Sequence, residues 1–199
     1  FKSIAIGDYQ VSFGQGLTTW SGFSFGKSFN SIGLKRIASG LRPYKSVDEN
    51  NFLRGAATTL RYKHWEATAF VSHKKIDANV DTSSSGRELA VSSLQTTGYH
   101  STPGEIADKD AVTQTITGGN ISYKSRQLSI GATAVDYSLD QPLNRKQSAY
   151  NQFQFSDIHH FNAGVDYNLV AKNFNFFGEE ALGKSGAMAF INGVLVYLD

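Results

Sequence analysis

Residues 52–76 read FLRGAATTLRYKHWEATAFVSHKKI, and this stretch decides the fold. Ala56, Thr58, Leu60 and Tyr62 alternate with Ala57, Thr59, Arg61 and Lys63. After a turn near Lys63–His64, Trp65, Ala67, Ala69 and Val71 alternate with Glu66, Thr68 and Ser72. A period of two puts successive side chains on opposite faces of an extended strand, here one apolar and one polar. The stretch therefore predicts two antiparallel strands about a tight turn.

The same rhythm continues outward. A long polar stretch, Asp77–Ala111, precedes a second pair of strands turning at Lys124–Gln127. Another polar loop, Asp140–Gln152, leads to a third pair turning at Ala171–Asn173. Tight turns then fall on one edge and long loops on the other, the arrangement of bacterial outer-membrane barrels. Eight strands are predicted. The first, Ser3–Phe13, sets Tyr9, Val11 and Phe13 against Asp8, Gln10 and Ser12, and Gly14-Gln-Gly16 ends or bends it. The Phe52–Ile76 pair supplies two more. Val112–Lys124 and Gln127–Leu139 follow, then a strand over Phe161–Leu169, one carrying Phe174 and Phe176, and Ala187–Leu198. Thr18–Phe25 reads as a short strand or an aromatic loop. Lys27–Asn51 reads as irregular, because Pro43 forbids an interior strand there.

A soluble sandwich or lipocalin-like barrel would also alternate. Strand length separates the readings: candidates of about 10–13 residues match a tilted membrane-spanning strand, whereas soluble strands average about 5–6. The expectation is all-β: an antiparallel transmembrane β-barrel segment over residues 1–199, with long loops 27–51, 77–111 and 140–152 on the extracellular side. The absence of an initiating Met suggests a section of a larger barrel.

Composition agrees without deciding. No window approaches ~18 uninterrupted apolar residues, so a transmembrane helix is excluded. Fourteen Phe and nine Tyr would furnish aromatic girdles. A net charge of +2 is too weak to argue for nucleic acid, and the lack of cysteine removes disulfides and thiolate chemistry.

One motif matches a functional pattern letter for letter. Residues 178–185, GEEALGKS, fit the phosphate-loop pattern G-x-x-x-x-G-K-[ST]. That chemistry needs a helix starting at the Gly-Lys-Ser, yet the following residues are strand-like, and Glu179 and Glu180 would oppose a polyphosphate. A hairpin turn at residues 183–186 is the preferred reading. The adjacent His159 and His160 point to opposite faces of a strand and cannot easily share a metal. Asp48 to Asn51 offers oxygen ligands but not at a calcium-loop spacing. His100, Ser101 and Glu105 resemble a catalytic set only by sequence proximity. Lys35, Arg36, Arg42 and Lys45 read as a solvated cluster. No catalytic residue, cofactor or metal site is expected.

Residues 7–17, GDYQVSFGQGL, and 40–57, GLRPYKSVDENNFLRGAA, resemble Bacteroidota outer-membrane proteins of the helix-hairpin-helix domain-containing family. Residues 92–105, SSLQTTGYHSTPGE, and 173–179, NFNFFGE, resemble the same group. The resemblance implies the barrel portion, located in the bacterial outer membrane with outer-membrane lipid around it and envelope proteins as candidate partners. No helix-hairpin-helix signature is present, so nucleic acid is not an expected partner. The function expected is a channel or transport component for polar solutes or macromolecules; the alternative is a non-conducting surface scaffold or adhesin whose loops bind a partner. The lumen is expected to be lined by Asp8, Gln10, Arg61, Lys63, Glu66, Asn120, Lys124, Asn162, Asp166 and Asn175. Their mixed charge suggests polar solutes without strong ion selectivity.

Overall fold

The structure, a computed structural model, describes residues 1–21, 31–46, 51–82, 89–95, 98, 100–143 and 157–198. Eleven strands run β1 (Ser3–Ser12), β2 (Gly40–Pro43), β3 (Leu53–Tyr62), β4 (Trp65–Ile76), β5 (Ala78–Thr82), β6 (Leu89–Leu94), β7 (Val112–Lys124), β8 (Leu128–Leu139), β9 (His159–Ala171), β10 (Phe174–Gly183) and β11 (Met188–Val196). The single α-helix among the described residues is α1 (Pro103–Ala107), and a 3-10 turn covers Ser31–Leu34. None of the described helices is long and apolar enough to cross a membrane.

Nine strands form one antiparallel sheet in the order β11-β10-β9-β8-β7-β4-β3-β1-β2. All eight predicted strands are present, and the tight turns at 63–64, 125–127 and 172–173 share one edge. The opposite ends of these strands, from which the longer connections leave, share the other. Lys63 and Lys172 take φ of 53° and 54°, the left-handed turn conformation at non-glycine residues.

Two stretches expected to be loops contain more structure. Within 27–51, β2 lines the edge of β1 and ends at Pro43, where the lost N–H donor is tolerated. Within 77–111, β5 and β6 form a separate hairpin with a bulge at Asn79/Val80. Its Ala78 and Val91 pack with Val112, Leu139 and Leu143 at the long-loop ends of β7 and β8. In the third loop, 140–152, the residues from 144 on lie outside the described set.

The sheet is strongly curved. β1 and β10 stand six steps apart in the strand order, roughly 29 Å along a flat sheet at about 4.8 Å per step. Yet Gly14, two residues past the end of β1, is close enough to Glu179 on β10 that a Cβ on it would lie 2.7 Å from the carboxylate. Two residues reach at most about 7 Å, so the sheet must arch around the segment that follows β1. The arch is open: among the described residues, β11 and β2 stand at its two edges without a further partner strand.

Cross-strand register assigns each residue to the inner or outer face of the arch. Thr59 opposes Thr68, Thr68 opposes Asn120, and Asn120 opposes Thr133, all buried on the inner face. Tyr62, Trp65 and Tyr123 form a row on the outer face, as do Leu60, Ala67, Ile121, Ala132 and Val165. The inner face buries polar Glu66, Ser72, Asn120, Thr133 and Glu179 beside the apolar cluster of Tyr9, Val11, Phe70 and Val135. On the outer face Ile6, Leu60, Trp65, Ile121, Val165 and Phe190 are exposed, where a soluble sheet would carry polar residues.

Candidate functional site

The inner face carries a strap, residues 13–21 with 35–39, laid across the arch from β1 toward β9 and β10. One end is anchored by burial. Phe13 stacks on Phe70 with ring centroids 6.4 Å apart, in a cluster with Ala5, Tyr9, Val11, Leu53, Ala57, Ile116 and Val135. The Tyr9 hydroxyl donates to the Val71 carbonyl at 2.7 Å. Without that bond a buried hydroxyl would be unsatisfied.

The other end is anchored by one carboxylate. Glu179 is 2% exposed and accepts from three strap amides: Gln15 N and Leu17 N donate to Oε2 at 2.6 and 3.0 Å, and Thr18 N donates to Oε1 at 2.8 Å. Three backbone donors on one carboxylate replace the hydrogen bonds that burial takes from water. Gly14 at φ 55° and Gly16 at φ 85° let the backbone turn its N–H groups inward. A side chain at Gly131 would collide with the Asp166 carboxylate, and one at Gly164 with the Thr18 hydroxyl. Thus small residues on β8 and β9 make the seat in which the strap lies. Thr18 Oγ1 is buried there without a hydrogen-bond partner.

A second tether comes from Lys35, whose ammonium donates to Asn168 Oδ1 at 2.6 Å and Asn175 Oδ1 at 3.2 Å. Burial draws its pKa below the ordinary value. Gln15 and Arg36 exchange bonds between the two strap segments: Arg36 N donates to Gln15 Oε1 at 2.9 Å, and Gln15 Nε2 donates to the Arg36 carbonyl at 3.2 Å. The Arg36 guanidinium lies 5.3 Å from the Trp20 ring centroid. Lys35 and Arg36, read from sequence as a solvated cluster, are therefore parts of the strap.

Of the ten residues expected to line the lumen, the register puts Arg61, Glu66, Asn120, Lys124, Asn162, Asp166 and Asn175 on the inner face. Glu66 gathers Lys2 at 2.6 Å, Lys124 at 2.7 Å and Arg61 at 3.7 Å. Asp166 and Glu179 are paired residues on neighbouring strands. The other three are placed differently. Lys63 is at the tip of the β3–β4 turn. Asp8 and Gln10 share the outer face with Ile4 and Ile6, because Ala5, Tyr9 and Val11 take the inside of β1. Polar meant inner along most strands, but near the long-loop rim the outer face is polar too. There Asp8 pairs with Arg54 at 2.7 Å.

The remaining motifs resolve into structural roles. Residues 178–183 of the phosphate-loop look-alike lie in β10, and the Lys184–Ala187 turn joins it to β11, so no helix N-terminus faces an anion there. Lys184 is exposed and pairs with Asp157 at 3.0 Å. His159 and His160 fall on opposite faces, opposite Ser138 and Tyr137. His100 pairs with Asp77 at 2.9 Å, while Glu105 and Thr102 close a capping box on α1. Asp48 to Asn50 lie outside the described residues. Among the described residues, no group of three or more His, Asp or Glu is placed to hold a metal ion.

Glu179 and the glycine seat were not singled out as a site, since the partners are up to 164 positions apart in the chain. The chain matches no protein-family model, no curated protein and no solved structure.

Proposed function

We propose that this chain is a section of the wall of a bacterial outer-membrane β-barrel that serves as a channel or transport component for polar solutes or macromolecules. The exposed apolar outer face carries the reading. Soluble proteins rarely expose contiguous apolar patches beyond a few hundred Å², yet here the outer face of a nine-stranded sheet is apolar from Ile4 and Ile6 on β1 to Val194 and Val196 on β11. Hydrocarbon is the solvent that makes such a face stable, with polar residues turned to a lumen. Tyr62, Trp65, Phe174 and Tyr197 are exposed at the short-turn edge, where an aromatic girdle would meet the interface. Charges on the outer face, such as Asp8, Arg54, Lys75, Asp136 and Glu180, lie toward the long-loop ends of their strands. The family resemblance agrees with this placement.

Conductance of the complete protein in planar bilayers tests the reading. Discrete open-channel currents are expected, together with recovery of the protein in the outer-membrane fraction. A second reading, a non-conducting scaffold whose loops bind a partner, is favoured by the strap, which occupies part of the inner face. Bilayers that stay silent while the protein is inserted and folded would select it.

A further inference from the structure

We propose that the short-turn mouth of this lumen selects anions, so that the solutes admitted are small molecules carrying carboxylate or phosphate groups. The proposal rests on the channel reading above and narrows it. The three short turns each carry an exposed cation: Lys63, Arg126 and Lys172. Just inside them, Lys2, Arg61 and Lys124 converge on Glu66. Among the described residues, Glu66 is the one acid within two residues of a short turn, while Asp166 and Glu179, on the same cross-strand row, stand further along their own strands from the turn at 172–173.

Exposure decides what a solute meets. The Glu66 side chain is 8% exposed, whereas those of Lys2, Arg61 and Lys124 are 45%, 60% and 48% exposed. The carboxylate is covered by its partners and the ammonium and guanidinium groups face outward. A cleft lined by one sign of charge focuses its field and concentrates counter-ions, and rings of Lys and Arg are how anion and phosphate pores select. The opposite edge is mixed, with Asp77, Asp110, Asp140 and Asp157 standing among Lys75, Lys109 and Lys184.

Lipid phosphate is the other anion that such a rim can meet. Register separates the two sources: Arg61 and Lys124 share the inner face with Glu66, while the outer face at the same level is Tyr62, Trp65 and Tyr123. The inner cations therefore face solute, and only the turn tips can reach headgroups.

The test is the reversal potential of the complete protein in planar bilayers under a potassium chloride gradient, with inorganic phosphate as a second probe. Chloride is expected to be several-fold more permeant than potassium. Glu66→Gln should raise that ratio, since it removes a negative charge and no cation. Replacing Lys2, Arg61, Glu66 and Lys124 together with Gln should lower the ratio most, without leaving the Glu66 carboxylate buried and unpaired. Replacing Lys63, Arg126 and Lys172 with Gln should lower it less; if this variant alone removes the preference, the inner cluster is not the selective element and the proposal fails. A conducting pore that is unselective or prefers potassium overturns this proposal alone. Bilayers without any current overturn the channel reading and this proposal with it. Should the fourfold variant not fold, the sign of the Glu66→Gln shift decides.

Discussion

Two long connections leave the same edge of the sheet and are stabilised in different ways. The segment after β1 folds under the arch and depends on the wall: Phe13 needs Phe70, and the amides of Gln15, Leu17 and Thr18 need Glu179. The segment after β4 packs on the rim of the wall, at the long-loop ends of β7 and β8. Its hairpin and helix rest on Ala78 and Val91 packed with residues 112, 139 and 143, and on local bonds such as Asp77 with His100 and with Asp110 N. The difference teaches what each depends on. A strap held by the inner face of the arch depends on that face for its position. The loop after β4 takes its support from the rim, away from the Glu179 seat.

The sharpest way to break this comparison is Glu179→Ala. It strands three buried amides, each costing about 1–3 kcal/mol when unsatisfied, so a loss of about 3–5 kcal/mol is expected. It should appear as rapid amide exchange at Gln15, Leu17 and Thr18. Unchanged exchange there would mean that the strap does not depend on the wall. Val91→Ala is the counterpart in the other loop. It hollows a fully buried position and should cost about 2 kcal/mol. That loss should be confined to exchange in β5 and β6, with strap amides unaffected. Loss of strap protection in this variant would show that the two connections are coupled.

Smaller changes test the seat. Gly14→Ala forces a side chain into a positive-φ position, where it meets Glu179 Oε2 at 2.7 Å and Asp166 Cβ at 3.0 Å. A destabilisation of about 1–2 kcal/mol is expected from the backbone alone, read from urea unfolding in detergent micelles. Thr18→Val goes the other way. It replaces a buried hydroxyl that has no partner with a methyl of similar shape. Stability should rise by up to about 1 kcal/mol. A loss instead would reveal that the hydroxyl is satisfied in the assembled protein.

Much of the sheet was legible in the sequence, because alternation and tight turns are local. Val112–Lys124 was placed with the bounds that the structure gives, and the Phe52–Ile76 pair turned where expected. What was missed is short or non-local. β2, β5 and β6 run four to six residues, too short for alternation to stand out, and take their order from packing. The helix had a readable signal: Thr102-x-x-Glu105 with Pro103 between is a capping-box pattern. Asp8 and Gln10 were misplaced because one rule, polar inward, was applied to a strand whose inner face is filled by Tyr9 and Val11. Glu179 was visible only as an oddity in a phosphate-loop look-alike. Its role needs the curvature of the sheet, which alternation does not specify.

The smallest effect expected is the pH response of the loop after β4. The Glu105 carboxylate accepts from Ser101 N at 2.8 Å and Thr102 N at 2.9 Å. The Thr102 bond first, and then that of Ser101, hold its pKa below the ordinary value of 4.5. A group whose folded pKa is depressed contributes stability above its unfolded value and loses it as pH falls through the folded one. The cap on α1 should therefore be intact above pH 4.5 and loosen only below it. The amide resonances of Ser101 and Thr102, followed by NMR during acidification, should titrate with a midpoint under 4.5. Glu105→Ala should abolish that titration while leaving Val91 and its hairpin protected from exchange. A midpoint at or above 4.5 would mean the cap is not formed. Loss of hairpin protection in Glu105→Ala would mean that the loop's helix and hairpin form one cooperative unit, a tighter coupling than their separate bonds require.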